Sequence, residues 1–318
     1  MTKTWAVLEI IDRGKQVLAE KGFENARLET ELLLGHTLSL PRIDLYLNYD
    51  RALRDEELAR FKSLLRRRLA GEPVQYIIGT AAFMFAEFEV NPAVLIPRPE
   101  TEAVTEAALR VIGEITGGAA SPATRAEAPG AGDRSGDRPG ARDILVADIG
   151  TGSGVIAVTL AQKLPRARIL ATDSSEAALA VAEKNAKRAG VADRIVFSQG
   201  AYLAPLEEKK LVGRLSAIVS NPPYVPTGEI AALPAEVRDF EPREALDGGP
   251  DGLDSLRIIA QDGPRFLAAG GAMVLEVGDG QAADVAGMLR RGVGSVEILK
   301  DYAGRERIVV GRNAPHDG

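Results

Sequence analysis

A chain of 318 residues with no cysteine and only two histidines, His36 and His316, cannot form disulfides, thiolate nucleophiles or cysteine-held zinc, and has little to offer a histidine triad or metal site. Its apolar and charged fractions, 45% and 26%, are those of a globular protein, and no apolar run approaches the roughly 18 residues that a bilayer span requires. The formal charge of −6 argues against a broad polyanion-binding surface, so neither membrane attachment nor stable nucleic-acid binding is expected.

The stretch Met1 to Asp12 is interrupted by acids and lacks a signal-peptide core, which makes the cytoplasm the expected location. From Thr4 to Ala70 the apolar spacing is helical, through Val7, Ile10, Ile11, Leu28, Leu32, Leu58, Phe61 and Leu65, with Gly22 and Pro41 as breaks and Asn25 placed to cap the second helix. A small all-helical domain over residues 1–80 follows. Its Arg66-Arg67-Arg68 run reads as a solvated helix face and as the domain's best candidate for docking a partner. Residues 81–97 switch to an aromatic, alternating pattern and form a β-hairpin linker. Pro99 then starts a helix, with Glu100 and Glu102 in its positive first turn as capping acids. Residues from about 116 to 142 are rich in Gly, Ala, Pro, Arg and Asp without periodicity, and are expected to be a disordered insertion.

Beyond the insertion, strand and helix patterns alternate. Strands are predicted at 143–149, 167–172, 194–198, 215–220 and 272–277, with helices at 155–164 and 176–189, the latter capped by Ser174 or Ser175. Residues 296–300 and 307–310 read as a closing pair joined by a turn at Gly304. The fold class is therefore α/β, an open and mostly parallel sheet with helices on both faces, whose ligand crevice lies beyond the carboxyl ends of the strands. Asp148, Asp173, Gln199 and Asn221 all fall there.

At the first strand end, Gly150-Thr151-Gly152-Ser153-Gly154 opens a helix, so backbone can approach a ligand closely beside free N–H donors. The spacing is G-x-G-x-G, with a G-x-G-x-x-A variant from Gly152, and does not by itself choose a cofactor. Asp173, at the end of the second strand, is placed to accept from ribose hydroxyls or to cap the next helix. Together they predict a nucleoside, within either NAD or S-adenosylmethionine.

The fourth strand separates the two. Leu215 to Ser220 runs into Asn221-Pro222-Pro223-Tyr224, which delivers a side-chain amide, carbonyls on a stiff turn and an aromatic face to one point. Hydride transfer has no use for that clamp, whereas methylation of a planar nitrogen does. With these motifs the chain resembles class I S-adenosylmethionine-dependent methyltransferases, and more closely the PrmC/HemK family of glutamine methyltransferases acting on peptide-chain release factors. The resemblance rests also on Gly71-Glu-Pro-Val-Gln-Tyr-Ile77, Ile96-Pro-Arg-Pro-Glu-Thr-Glu102, Glu241-Pro-Arg-Glu-Ala-Leu-Asp-Gly248 and Asp301-Tyr-Ala-Gly-Arg305. It implies a Rossmann-like sheet of the class I methyltransferase type behind a helical N-terminal domain. It implies further that Gly150 to Gly154 hold the methionine part of S-adenosylmethionine, that Asp173 holds its ribose, and that Tyr202 lies by its adenine, with Asn221 also on the cofactor side. Ala201 stands where the family often has a carboxylate. Catalysis is expected from Asn221, Pro222 and Tyr224, and substrate binding from Asn221 to Tyr224. The Asn221 oxygen and the Pro222 carbonyl would accept the two N–H groups of a glutamine amide in a Gly-Gly-Gln loop, with Tyr224 against its plane. A nucleic-acid adenine amino methyltransferase, which shares Asn-Pro-Pro-Tyr, is the alternative. A nucleotide-binding module without activity would leave Asn221 and Tyr224 unexplained, and an NAD oxidoreductase would lack a proton donor.

Overall fold

The computed structural model describes residues 5–117 and 144–314. Most of the expected insertion, residues 118–142, lies outside the described residues, as does His316, while Thr116 and Gly117 close a helix. The chain divides into two compact units. One gathers the N-terminal residues up to Ala81, Val90–Pro92 and Ala232–Glu241; the other comprises Ala82–Glu89, Ala93–Ala231 and the chain from Pro242 onward.

The first unit is built on α1 (Val7–Glu20), α2 (Ala26–Leu38), α3 (Arg42–Leu47), α4 (Asp55–Leu69) and α5 (Val74–Ile78). Val7, Ile10, Ile11, Leu33, Leu34, Leu45, Phe61, Val74 and Ile77 form its core. Asn25 occupies the position before α2 but makes no side-chain capping bond. The Arg66-Arg67-Arg68 run is not a uniform solvated face. Arg68 is 3% exposed, its guanidinium paired with both oxygens of Glu29 at 2.7 and 3.0 Å and with Glu236 at 2.7 Å, and lying 4.1 Å above the Phe23 ring. Such a desolvated cation is committed to internal partners, whereas Arg66 and Arg67 stay exposed. Exposed apolar surface in this unit lies on and beside α3, at Ile43, Leu47 and Tyr49.

A two-stranded hairpin of β1 (Thr80–Phe83) and β2 (Ala86–Glu89), counted with the second unit from Ala82 onward, ends in a turn whose Phe85 is almost fully exposed, while Phe83 and Phe88 meet edge to face. After α6 (Pro99–Ile115) come β3 (Ile144–Ile149), α7 (Val155–Lys163), β4 (Ala167–Asp173), α8 (Glu176–Arg188), β5 (Ile195–Gln199), α9 (Ala204–Glu208) and β6 (Leu215–Ser220). Short α10 (Ala235–Arg238), counted with the first unit, precedes α11 (Asp254–Asp262), β7 (Leu267–Glu276), α12 (Ala282–Leu289), β8 (Ser295–Lys300) and β9 (Glu306–Arg312). The seven strands order as β5-β4-β3-β6-β7-β9-β8, parallel except for the antiparallel pairs made by β9.

The central strands read as near-continuous apolar runs because both faces of the sheet are covered. Val146, Ala217, Val219, Ala272 and Val274 face a core with α6 and α7, while Ala147, Ile149, Ile218, Met273 and Leu275 face a second core with α11 and α12. Period-two alternation thus splits each strand between two cores. From β3 the chain winds outward through β4 and β5, then returns to place β6 on the other flank of β3. The order reverses between β3 and β6, which opens a crevice at their carboxyl ends.

Candidate functional site

Ile149 and Ser220 are partners in the last rung of the β3–β6 ladder, and the Ser220 hydroxyl donates to the Ile149 carbonyl at 2.7 Å. Gly150 and Asn221 therefore leave the sheet side by side, one strand spacing of about 4.8 Å apart. Every site residue expected after these strands is set by that rung.

On the β3 side, Gly150 and Gly152 have φ of +72° and +54°, and a Cβ built on either would meet nothing within 4 Å. They present bare, left-handed backbone to open space, as a close-approaching ligand requires. The loop is held from beneath. Thr151 N donates to the Thr172 carbonyl at 2.8 Å, and Gly152 N donates to Asp173 Oδ2 at 2.9 Å. Asp173 Oδ1 accepts from Ser175 N at 2.9 Å. The expected ribose acceptor thus also braces the glycine loop, and a carboxylate with two bonds keeps further lone pairs for hydroxyls. The cap of α8 is Ser175, whose oxygen accepts from Ala178 N at 3.2 Å.

Asp148 is placed differently from the other strand-end polar residues. It is fully buried, with Oδ2 accepting from Thr151 Oγ1 at 2.7 Å and Ala157 N at 3.1 Å, and Oδ1 has no partner among the described residues. Burial, aided by the neighbouring Asp173 charge, pushes its carboxyl up to about 7. It lies under the glycine loop rather than facing the crevice. Gln199 turns back to donate to the Ser174 carbonyl at 3.1 Å. Tyr202, held at φ +50° and about a third exposed, is joined to α11 through Ser255, whose hydroxyl donates to the tyrosine oxygen at 3.2 Å.

On the β6 side, Asn221 Nδ2 donates to Thr101 Oγ1 at 2.9 Å. Thr101 Oγ1 donates to Glu276 Oε2 at 2.8 Å, and the Tyr224 hydroxyl donates to Glu276 Oε1 at 3.3 Å. Glu276 ends β7 and is fully buried, which raises its carboxyl to about 7. The same burial, with the Glu276 charge, raises the Tyr224 phenol, so Tyr224 stays protonated. Thr101 and Glu276 escaped the sequence reading: the threonine sat between two acids assigned to capping, although an acid inside the apolar run Ala272 to Val277 was a signal. Gln281 also escaped it. Its Nε2 donates to the Tyr224 carbonyl at 3.0 Å and the Gly252 carbonyl at 3.3 Å, while its Oε1 accepts from Gly278 N at 2.8 Å. Part of the Glu241–Gly248 motif serves the same turn: Val225 N donates to the Leu246 carbonyl at 2.9 Å, and Gly248 N to the Val225 carbonyl at 2.8 Å.

Residues 9–79 match the PrmC N-terminal domain, and residues 139–235 match the methyltransferase small domain. The release factor glutamine methyltransferase of Geobacter sulfurreducens is 43% identical over 309 residues, 97% of each chain, and that of Moorella thermoacetica is 43% identical over 310 residues, 96% of this chain and 97% of its own. The chain belongs to the release factor glutamine methyltransferase family. Among solved structures, the hMettl16 catalytic domain in complex with MAT2A 3′UTR hairpin 1 superposes with a TM-score of 0.52, covering 85% of each chain at 17% identity. That likeness shows the class I methyltransferase fold that the resemblance implied. The open glycine loop and the buttressed Asn221 turn leave the sheet on adjacent strands, at the point where the strand order reverses.

Proposed function

We propose that this chain methylates the side-chain amide nitrogen of a glutamine in a peptide-chain release factor, using S-adenosylmethionine. One observation carries the reading: Asn221 spends its Nδ2 on Thr101, so its Oδ1, which takes no bond from any described residue, is the atom left to accept from a substrate amide.

Gly150 to Gly154 fit the amino-acid part of the cofactor, because two of the glycines are bare toward open space and the α7 N-terminus is adjacent. Asp173 fits the ribose with its remaining lone pairs, and Tyr202 offers a ring face for the adenine. When bound, S-adenosylmethionine supplies a methyl group on cationic sulfur, a leaving group that needs no acid. A glutamine nitrogen is a poor nucleophile because its lone pair is delocalised into the carbonyl. The protein's task is therefore to hold it rather than to deprotonate it. Asn221 Oδ1 and the Pro222 carbonyl accept its two N–H groups, Tyr224 and Pro223 wall the amide plane, and the surplus proton leaves to water. Positioning of this kind supplies up to about 7–11 kcal/mol of barrier reduction, and one preorganised polar contact about 2.7–4 kcal/mol.

The helical unit offers a docking surface for the protein substrate through Ile43, Leu47 and Tyr49. Leu47→Asp should then raise KM for an intact release factor far more than for a short Gly-Gly-Gln peptide. The central test is Asn221→Ala, which should lower turnover on such a peptide by about two to three orders of magnitude. Unchanged turnover, or transfer of labelled methyl to adenine in nucleic acid in place of glutamine, overturns the proposal.

A further inference from the structure

The chain of hydrogen bonds behind Asn221 has a direction, and that direction depends on one proton. Thr101 has a single hydroxyl hydrogen. While Glu276 is a carboxylate it can only accept, so the threonine hydrogen goes to Glu276 Oε2 and only a lone pair is left for Asn221. A lone pair selects Nδ2, as the 2.9 Å contact records. A neutral Glu276 carboxyl reverses each step: it donates to Thr101 Oγ1, the threonine hydrogen turns to Asn221, and a donor there selects Oδ1. The asparagine amide must then rotate by half a turn, presenting Nδ2 where Oδ1 stood.

We propose that Thr101 and Glu276 are positioning residues that decide which end of the Asn221 amide faces the substrate, and that protonation of Glu276 switches Asn221 from acceptor to donor. This deepens the reading that Asn221 accepts from a carboxamide and rests on it for its catalytic consequence. An amide donor facing the N–H groups of a glutamine repels them, so the protonated form binds the nucleophile wrongly.

The surroundings of Glu276 place this switch near neutrality. Burial at the end of β7 disfavours its charge, and Glu100 on α6 adds repulsion. Thr101 on α6, Tyr224 after β6 and Arg307 on β9 favour the charged form, and the balance sets the carboxyl at about 7. Arg307 donates through Nη1 to the Val277 carbonyl at 3.2 Å, which fixes it beside the strand end. Tyr224 lies 3.3 Å from Oε1 and Thr101 only 2.8 Å from Oε2, so the shorter contact draws the Glu276 proton to Oε2 while Tyr224 donates to Oε1 in either state.

The experiment uses the full chain labelled with nitrogen-15 at asparagine, the Asn221 side-chain NH2 signal being identified by its loss in Asn221→Ala. Between about pH 5 and about pH 8 that signal should move with one titration in the parent protein and stay fixed in Glu276→Gln, which has no proton to exchange. In parallel, turnover on saturating Gly-Gly-Gln peptide should fall by up to about tenfold per pH unit below the titration in the parent, and this acid limb should be absent in Glu276→Gln. Thr101→Val should lower kcat, and Thr101→Ser, which keeps the hydroxyl, should restore it. A signal that does not titrate, or titrates identically in Glu276→Gln, overturns the switch. A signal that titrates as expected in a protein that methylates no glutamine peptide at any pH leaves the switch standing and overturns the proposed function instead.

Discussion

Gly252 lies against the turn that carries Tyr224, and Gly252→Ala measures how much that turn depends on it. Its φ is +76°, and a Cβ there would stand 2.4 Å from the Tyr224 carbonyl oxygen and 2.6 Å from Gln281 Nε2, the pair joined by a 3.0 Å hydrogen bond. Gly280 supplies the control, with φ of +77° and nothing within 4 Å of its built Cβ. Both alanines bear about 1–2 kcal/mol of left-handed strain, offset by about 0.4–1 kcal/mol from the stiffer unfolded chain. Only Gly252→Ala adds overpacking, about 1–3 kcal/mol, and a weakened buried hydrogen bond, about 0.5–1.5 kcal/mol. The difference between the variants is then about 2–4 kcal/mol, or about 4–16 °C in melting temperature at about 2–4 °C per kcal/mol. Calorimetry reads the difference, and methylation of a glutamine peptide should fall in Gly252→Ala well below its level in Gly280→Ala. Two variants that melt together and turn over alike would refute the claim that the 246–253 segment sets the Tyr224 main chain.

Arg68→Met strips the cation from Glu29 and Glu236, and should destabilise the helical unit by about 3 kcal/mol, the low end for a broken buried pair because Glu236 is half exposed. Urea titration followed by helix circular dichroism checks this, and an unchanged midpoint refutes it. Asp148 and Glu276 both have carboxyls raised to about 7, so each favours the neutral form and contributes stability fully below its unfolded pKa, near 4, that is lost as pH rises through 7. At about 1.4 kcal/mol per unit the two together amount to several kcal/mol. Glu57, held near 2 by hydrogen bonds from Arg54 and by Arg51, works oppositely and only below its unfolded value. Asp148→Asn, whose oxygen can still accept from Thr151 and Ala157, should therefore melt higher than the parent at pH about 8 and show a flatter melting profile down to about 5. A variant that loses stability equally at both ends refutes the burial argument.

The parallel strands were legible because a strand covered on both faces is an apolar run ended by Gly, Asp or Asn, and Asp148-Ile149-Gly150 and Ser220-Asn221 are such endings. Ser175 caps α8 as its position suggested, whereas Asn25 makes no capping bond. What local pattern hides is a partner distant in sequence. The arginine run on α4 has the spacing of a solvated face, yet Glu29 and Glu236 bury Arg68. Glu102 reads as a first-turn acid on α6, yet its carboxylate also accepts from Met84 N at 2.5 Å, at the positive-φ turn of the hairpin. Thr101 is invisible for the same reason, since its partners Asn221 and Glu276 come from other strand ends.

The glycine loop and the Asn-Pro-Pro-Tyr turn share a construction that bears on which residues matter. Neither fixes itself. The first is pinned by Asp148 from below and Asp173 from the side, the second by Thr101 and Glu276 behind the amide and Gln281 under the Tyr224 carbonyl. Asp148, Thr101, Glu276 and Gln281 are polar groups removed from water, so deleting one leaves its partner unpaired where hydration cannot replace it, at about 1–3 kcal/mol, whereas Asp173 is only half-buried. Gly150, Gly152, Asp173, Tyr202, Asn221 and Tyr224 keep some exposure, whereas Asp148, Thr101 and Glu276 keep almost none. Loss of the braces should therefore misplace the reacting groups through geometry alone, with the ligand-facing side chains unaltered.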